Sequence, residues 1–186
     1  LPVFIAVVCL AISVYQQRTF LFQMTPFEAS RSAFGVNPFP EALEISKFIK
    51  SHSNKNDQIA VMGSEPEIFF YSDRLSASGY VYMYPLMETH PFALQMQKEM
   101  IREIESVKPK YLILANIKYS WLERPGSHQL LFKWFLGYQK KHYTLSGFAT
   151  LFKDKTIYHW APKINVKPES PLWIAVFGRK NDNQGK

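Results

Sequence analysis

The chain has 186 residues, room for one domain of ordinary size and an appendage. Its 47% hydrophobic content excludes a disordered chain, and its single cysteine, Cys9, excludes an internal disulfide framework or a thiolate metal cluster. The 22 basic and 15 acidic residues leave +7, which suits an anionic membrane surface, a phosphate-bearing ligand or nucleic acid. Apart from Lys140-Lys141-His142 the basic residues are scattered, so a solvated basic face is the simpler account.

Leu1 to Tyr15, LPVFIAVVCLAISVY, carries no charge. At ~1.5 Å per residue a helix of this length reaches roughly 22 Å, short of the ~20 residues of a full bilayer span. The expectation is the carboxyl end of a transmembrane helix, residues 1–17. Signal peptide and buried core helix are the alternatives. Tyr15, Gln16, Gln17 and Arg18 read as an interface exit, with Tyr15 and Arg18 as candidate membrane contacts. Residues 18–40 mix aromatics with polar spacers and read as an extended connector.

A domain is expected over residues 41–161. Pro40 opens a helix from Glu41 to about His52, with Ile45, Phe48 and Ile49 as its buried stripe. Ile59 to Met62 is a short buried strand that breaks at Gly63. Ser64 is placed to cap a helix with Pro66 in its first turn, and Ile68, Phe69, Phe70 and Tyr71 are expected to bury it against the strand. Leu75 to Tyr84 is expected to be extended, with Tyr80, Tyr82 and Tyr84 alternating along it. Such a row packs on a core more often than it forms a sugar platform.

Thr89 and Pro91 open the next helix, whose Phe92, Met96, Met100, Ile104 and Val107 fall at helical spacing. Lys108-Pro109 stops it before a second buried strand, Tyr111 to Ala115, apolar on both faces as parallel strands require. Trp121 to Gly126 is read as a loop. Trp121 there is a candidate partner or membrane contact, with a lid over the following helix as the alternative. Ser127 caps a helix from His128 to about Lys141. A strand from Tyr143 to Phe152 pairs back with Thr156 to Trp160 as a hairpin. Residues 162–186 are a linker and tail in which Leu172 to Phe177, LWIAVF, is a late strand or an apolar peptide of open placement. The element order predicts an α/β fold: a three-layer α/β/α domain with a mostly parallel central sheet and an antiparallel edge hairpin.

Chemical signatures are sparse. The five histidines show no metal-ligand spacing, and no phosphate loop or nucleophile elbow is present. Gly63-Ser64-Glu65-Pro66 stands where a helix N-terminus can cradle an anion, but Glu65 and Glu67 oppose one, so a tight β–α turn is favoured. Those two glutamates diverge by about 200° on a helix, which fits capping better than an acid/base pair. Asp73-Arg74 is open between a local ion pair and a pocket arginine. Ser76 or Ser78 with His90 is the one pairing in range for a hydrolase. No nucleic-acid module appears.

The string NPFPEALEISKFIK, then GSEPEIFFYSDRLSASGYVYMYPLMETHP, then MQKEMIREIESVKPKYLILANIKYSWL resembles the carboxyl-terminal extracytoplasmic domain of bacterial GT-C membrane glycosyltransferases. These are similar to protein mannosyltransferases and aminoarabinose transferases. The resemblance covers about residues 1–122 and the hairpin region more loosely. It implies a parent enzyme that moves a sugar from a polyprenyl-phosphate donor to an acceptor outside the cell membrane. The family's catalytic acid lies in an early loop that this chain does not contain, so no catalytic residue, metal or cofactor is carried over. The resemblance leaves Gly63, Glu65, Pro66, Tyr71, Arg74, Ser76 and Tyr80 as a candidate binding rim. The implied partners are the membrane core of the same polypeptide, the bilayer surface and the lipid-linked sugar or its acceptor. A membrane-anchored or secreted binding module for a small ligand or protein is the rival reading.

Overall fold

A computed structural model describes residues 1–162, 164 and 167–180. Residues 163, 165, 166 and 181–186, which hold parts of the expected linker and tail, lie outside the described residues. The chain divides into two compact units, the first running from Leu1 to Asn37 and the second starting at Pro38.

The first unit is helical. Pro2–Gln16 forms α1, and none of its side chains is buried. No helix among the described residues is long and apolar enough to cross a membrane. The expected extended connector is corrected: Arg18–Phe22 forms α2 and Pro26–Phe34 forms α3. The signal for α3 is Thr25-Pro26-Phe27-Glu28. The Thr25 hydroxyl accepts from the Glu28 amide at 3.3 Å, and the Glu28 carboxylate accepts from the Thr25 amide at 2.8 Å. This reciprocal capping box satisfies two otherwise orphaned donors. The hydrogen bonds from Thr25 also hold the Glu28 carboxyl below its ordinary value. Arg18 stacks over the Tyr15 ring at 4.3 Å and donates to its carbonyl.

The second unit is a mixed α/β fold. Its first helix, α4, spans Phe39–Ser51 with Pro40 in the first turn. Then come β1 (Ile59–Met62), α5 (Glu67–Ser72), α6 (Tyr84–Met87), α7 (Ala93–Val107) and β2 (Tyr111–Asn116). They are followed by α8 (Lys118–Trp121), α9 (Leu130–His142), β3 (Tyr143–Leu151), β4 (Thr156–Trp160) and β5 (Trp173–Arg179).

The five strands form one sheet in the order β1-β2-β5-β3-β4. Only β1 and β2 are parallel, with Ile59 opposite Tyr111; β2–β5, β5–β3 and β3–β4 are antiparallel. The expectation of a mostly parallel sheet is therefore corrected, and the late segment is the reason. Of the two readings left open for that segment the strand holds: β5 inserts between β2 and β3 and runs against both. Its Ile174, Ala175 and Val176 are buried.

Strand geometry sends successive side chains to opposite faces. Ile59 and Val61 of β1 join one core cluster with Ile45 and Ile49 of α4 and Ile68 of α5. Ala60 and Met62 join another with Met100 and Ile104 of α7 and Leu131 and Phe135 of α9. Each fully buried Ile, Leu, Met or Phe contributes roughly 1.5–3 kcal/mol relative to exposure. Gln97 is fully buried inside the second cluster. Its amide donates to the Leu86 and His128 carbonyls at 2.8 Å each and accepts from the Leu131 amide at 3.0 Å, tying α7 to α6 and to the start of α9.

Two helix starts differ from expectation for one reason: tertiary partners claim the residues expected to cap. Ser64 accepts from the Met83 amide at 3.0 Å, and Ser127 donates to the Met87 carbonyl, so neither caps a helix. Of the aromatics expected to bury α5, Phe70 is 79% exposed and Tyr71 is half exposed, while Ile68 alone among Ile68–Tyr71 is fully buried. The expected extended row also fails. Tyr84 opens α6, and Ser76 makes an isolated bridge to Ile59 rather than continuing as a strand.

Candidate functional site

The carboxyl ends of the two parallel strands, where open α/β sheets place their sites, are organised here by one short turn, α8. Ile117 and Trp121, spaced i and i+4, are both buried and anchor it. The Trp121 indole N–H donates to the Ala115 carbonyl at 2.8 Å, and its ring lies 4.4 Å from Phe132. Trp121 is thus a core residue, and the expectation of an exposed contact there is corrected. Between these anchors Tyr119 is exposed, its carbonyl accepting from the Tyr84 hydroxyl at 2.6 Å. Ser120 is buried and donates to Glu65.

Glu65 lies in the turn after β1 and is only 2% exposed. Its Oε1 takes the Ser120 hydroxyl, and its Oε2 is buried without a hydrogen-bond partner among the described residues. Burial pushes its carboxyl up to about 8; the Ser120 hydrogen bond works against the rise, and the nearby Glu67 charge adds to it. Burial also raises the Glu67 carboxyl. Gly63 makes this placement possible: at φ 153° it leaves room for the carboxyl, whereas a Cβ there would collide with Glu65 Oε2 and sit 2.8 Å from Ala115 Cβ.

The rest of the predicted rim does not converge on this point. Pro66 is the residue preceding the first turn of α5. Tyr71 packs edge-on against Phe70 at 5.3 Å. Arg74 is buried, and its donors are taken by Ser53 Oγ at 2.9 Å and by the carbonyls of Lys50, Ser53, Ser72 and Asp73 at 2.8–3.2 Å. It bonds carbonyls at the carboxyl ends of both α4 (Lys50 and Ser53) and α5 (Ser72 and Asp73), where a cation complements the helix dipole, rather than facing a ligand. Tyr80 donates to Glu99 at 2.7 Å on α7, and burial followed by that carboxylate pushes its phenol up to about 12. Ser76 and Ser78 line a hollow of about 410 Å³ with Arg102 and Glu103. No hydrogen bond joins either serine to His90 among the described residues; His90 accepts from the Phe92 amide and donates to the Pro85 carbonyl. The hydrolase pairing is not assembled.

What the carboxyl edge does bring together is aromatic. Tyr82 and Tyr84 stand 4.3 Å apart, and Tyr82 and Tyr119 are 43% and 59% exposed. On the other side of α8, Asn116, Lys118, Trp121, Glu123 and Phe132 line a cleft of about 380 Å³. Among the described residues no group of three or more His, Cys, Asp or Glu could hold a metal. Ser120, Tyr119 and Asn116 were missed by sequence reasoning; the available signal was the Ile117/Trp121 spacing, which marks a helical turn directly after the strand.

No family model, curated protein or solved structure matches this chain.

Proposed function

We propose that the chain is the accessory extracytoplasmic part of a multi-spanning bacterial glycosyltransferase of the GT-C type, which passes a sugar from a polyprenyl-phosphate donor to an acceptor outside the cell membrane. In this reading α1 is the carboxyl end of a transmembrane helix and the second unit is a three-layer α/β/α domain beyond the bilayer. Support comes from the sequence resemblance and from the two core clusters that take alternate residues of β1. The observation that carries it is α1 itself: an uncharged helix with every side chain exposed, followed by an α/β unit.

The domain holds sugar rather than transforming it, and the Tyr82/Tyr84/Tyr119 edge is the surface for that work. Aromatic faces at an open edge accept the apolar face of a pyranose while neighbouring hydroxyls and carbonyls take its polar groups. In the test, the chain is incubated with a polyprenyl-phosphate sugar and an acceptor while tyrosine ring resonances are followed. The expected result is no transfer, with shifts confined to Tyr82, Tyr84 and Tyr119. Robust turnover by the chain alone overturns the reading.

The cleft beside Trp121 favours a second reading, a membrane-anchored or secreted module that binds a small ligand. The upstream coding sequence separates the two, since a run of further hydrophobic spans belongs to the first and a lone span or signal peptide to the second.

A further inference from the structure

Helix α8 is four residues long and ends on Leu122, a non-glycine residue at φ 47°. A single turn has no stability of its own, so its position depends on its anchors. Two of these, Tyr84 Oη to the Tyr119 carbonyl and Trp121 Nε1 to the Ala115 carbonyl, join groups that keep their charge state at ordinary pH. The third, Ser120 to Glu65, does not.

Glu65 is enclosed by the Gly63 backbone and α8, and no cation pairs with it among the described residues. A buried carboxylate needs two or three donors or a cation to remain ionised. One hydroxyl and a glycine Cα are too little, and the neutral acid costs far less to bury than the anion. We infer that the enclosure of Glu65 beneath α8 is a protonation-gated latch: neutral Glu65 lets α8 seat against the turn after β1, and ionised Glu65, whose burial costs more than the single Ser120 hydrogen bond returns, releases α8 so that water reaches the carboxylate.

The other titratable groups facing Glu65 are Glu67 from α5 and Tyr84 from α6. Glu67 opposes ionisation of its neighbour. Tyr84, whose phenol burial and Tyr82 push up to about 12, stays neutral while Glu65 titrates. These influences raise the enclosed carboxyl to about 8, so the release occurs at or below that pH. The latch does not depend on what the aromatic edge holds, and its test uses no ligand.

The experiment follows the Glu65 carboxyl carbon and the amide protection of residues 119–122 by NMR in the full chain in detergent micelles, from pH 6 to 10. The expected result is a Glu65 midpoint near 8, with protection across α8 falling by up to tenfold per pH unit as pH rises toward it and levelling off above it. In E65Q protection is flat over the same range. In S120A the transition persists but moves to lower pH, because the seated turn has lost a hydrogen bond that the released turn does not make; this variant keeps the test sound if E65Q folds poorly. Titration of Glu65 in the ordinary carboxyl range, or titration near 8 with α8 protection unchanged, overturns the latch. So does an α8 transition that survives in E65Q.

Discussion

Two buried ionisable groups in the second unit, Arg74 and Glu65, have opposite surroundings. Arg74 sits past the end of α4 with its donors matched to one hydroxyl and four carbonyls. Glu65 sits past β1 with one donor, the Ser120 hydroxyl, and one oxygen that nothing satisfies among the described residues. A fully partnered charge holds backbone in place and is costly to remove. A half-partnered acid responds to pH, and removing its ability to ionise is expected to help. The contrast marks the Arg74 corner as scaffold and the Glu65 edge as the part that can change.

The largest expected effect is at the scaffold. Arg74→Met leaves four carbonyls and the Ser53 hydroxyl without their donors, and is expected to destabilise the second unit by about 3 kcal/mol. Urea unfolding checks it, and a loss below about 1 kcal/mol would erase the contrast. Gly63→Ala pushes a methyl group against Glu65 and Ala115 and is expected to lose about 2 kcal/mol, read in the same way.

Glu65→Gln is expected to have the opposite sign. The folded carboxyl titrates near 8 against an ordinary 4.5. Between these values the folded state keeps a proton that the unfolded state has lost, so wild-type stability falls as pH rises across that window and levels off above it. The glutamine variant lacks this slope and is expected to gain about 2 kcal/mol relative to wild type at pH 8, and almost nothing at pH 4. Denaturation midpoints measured across the window test both sign and range. The smallest effect is that of Ser120→Ala, about 1 kcal/mol at pH 6, where it removes a single hydrogen bond from a neutral acid.

Much of the chain was legible because its signals are local. The Pro40 start of α4, the apolar run of β1, the termination of α7 at Lys108-Pro109, and the β3–β4 hairpin each rest on residues within a few positions of one another. The capping box at Thr25 was equally local and was missed because the surrounding aromatics suggested a connector. The site was less legible. Gly63 and Glu65 stood out from sequence, but the partner of Glu65 is 55 residues away, and nothing near either residue announces the pairing. Arg74 stayed open between a local ion pair and a pocket arginine because its five acceptors are mostly backbone carbonyls, which any sequence supplies.

The amino-acid order alone determined where most of the longer helices and the strands β1 to β4 form, since periodicity, prolines, glycines and caps act over one or two turns of chain. Tertiary structure decided the sheet order, the central place of β5 and with it the mostly antiparallel character. It also decided that Phe70 faces outward while Glu65 and Trp121 face inward. Strand pairing and burial depend on which surfaces meet after distant segments converge, and that competition among whole elements leaves no mark at any one position.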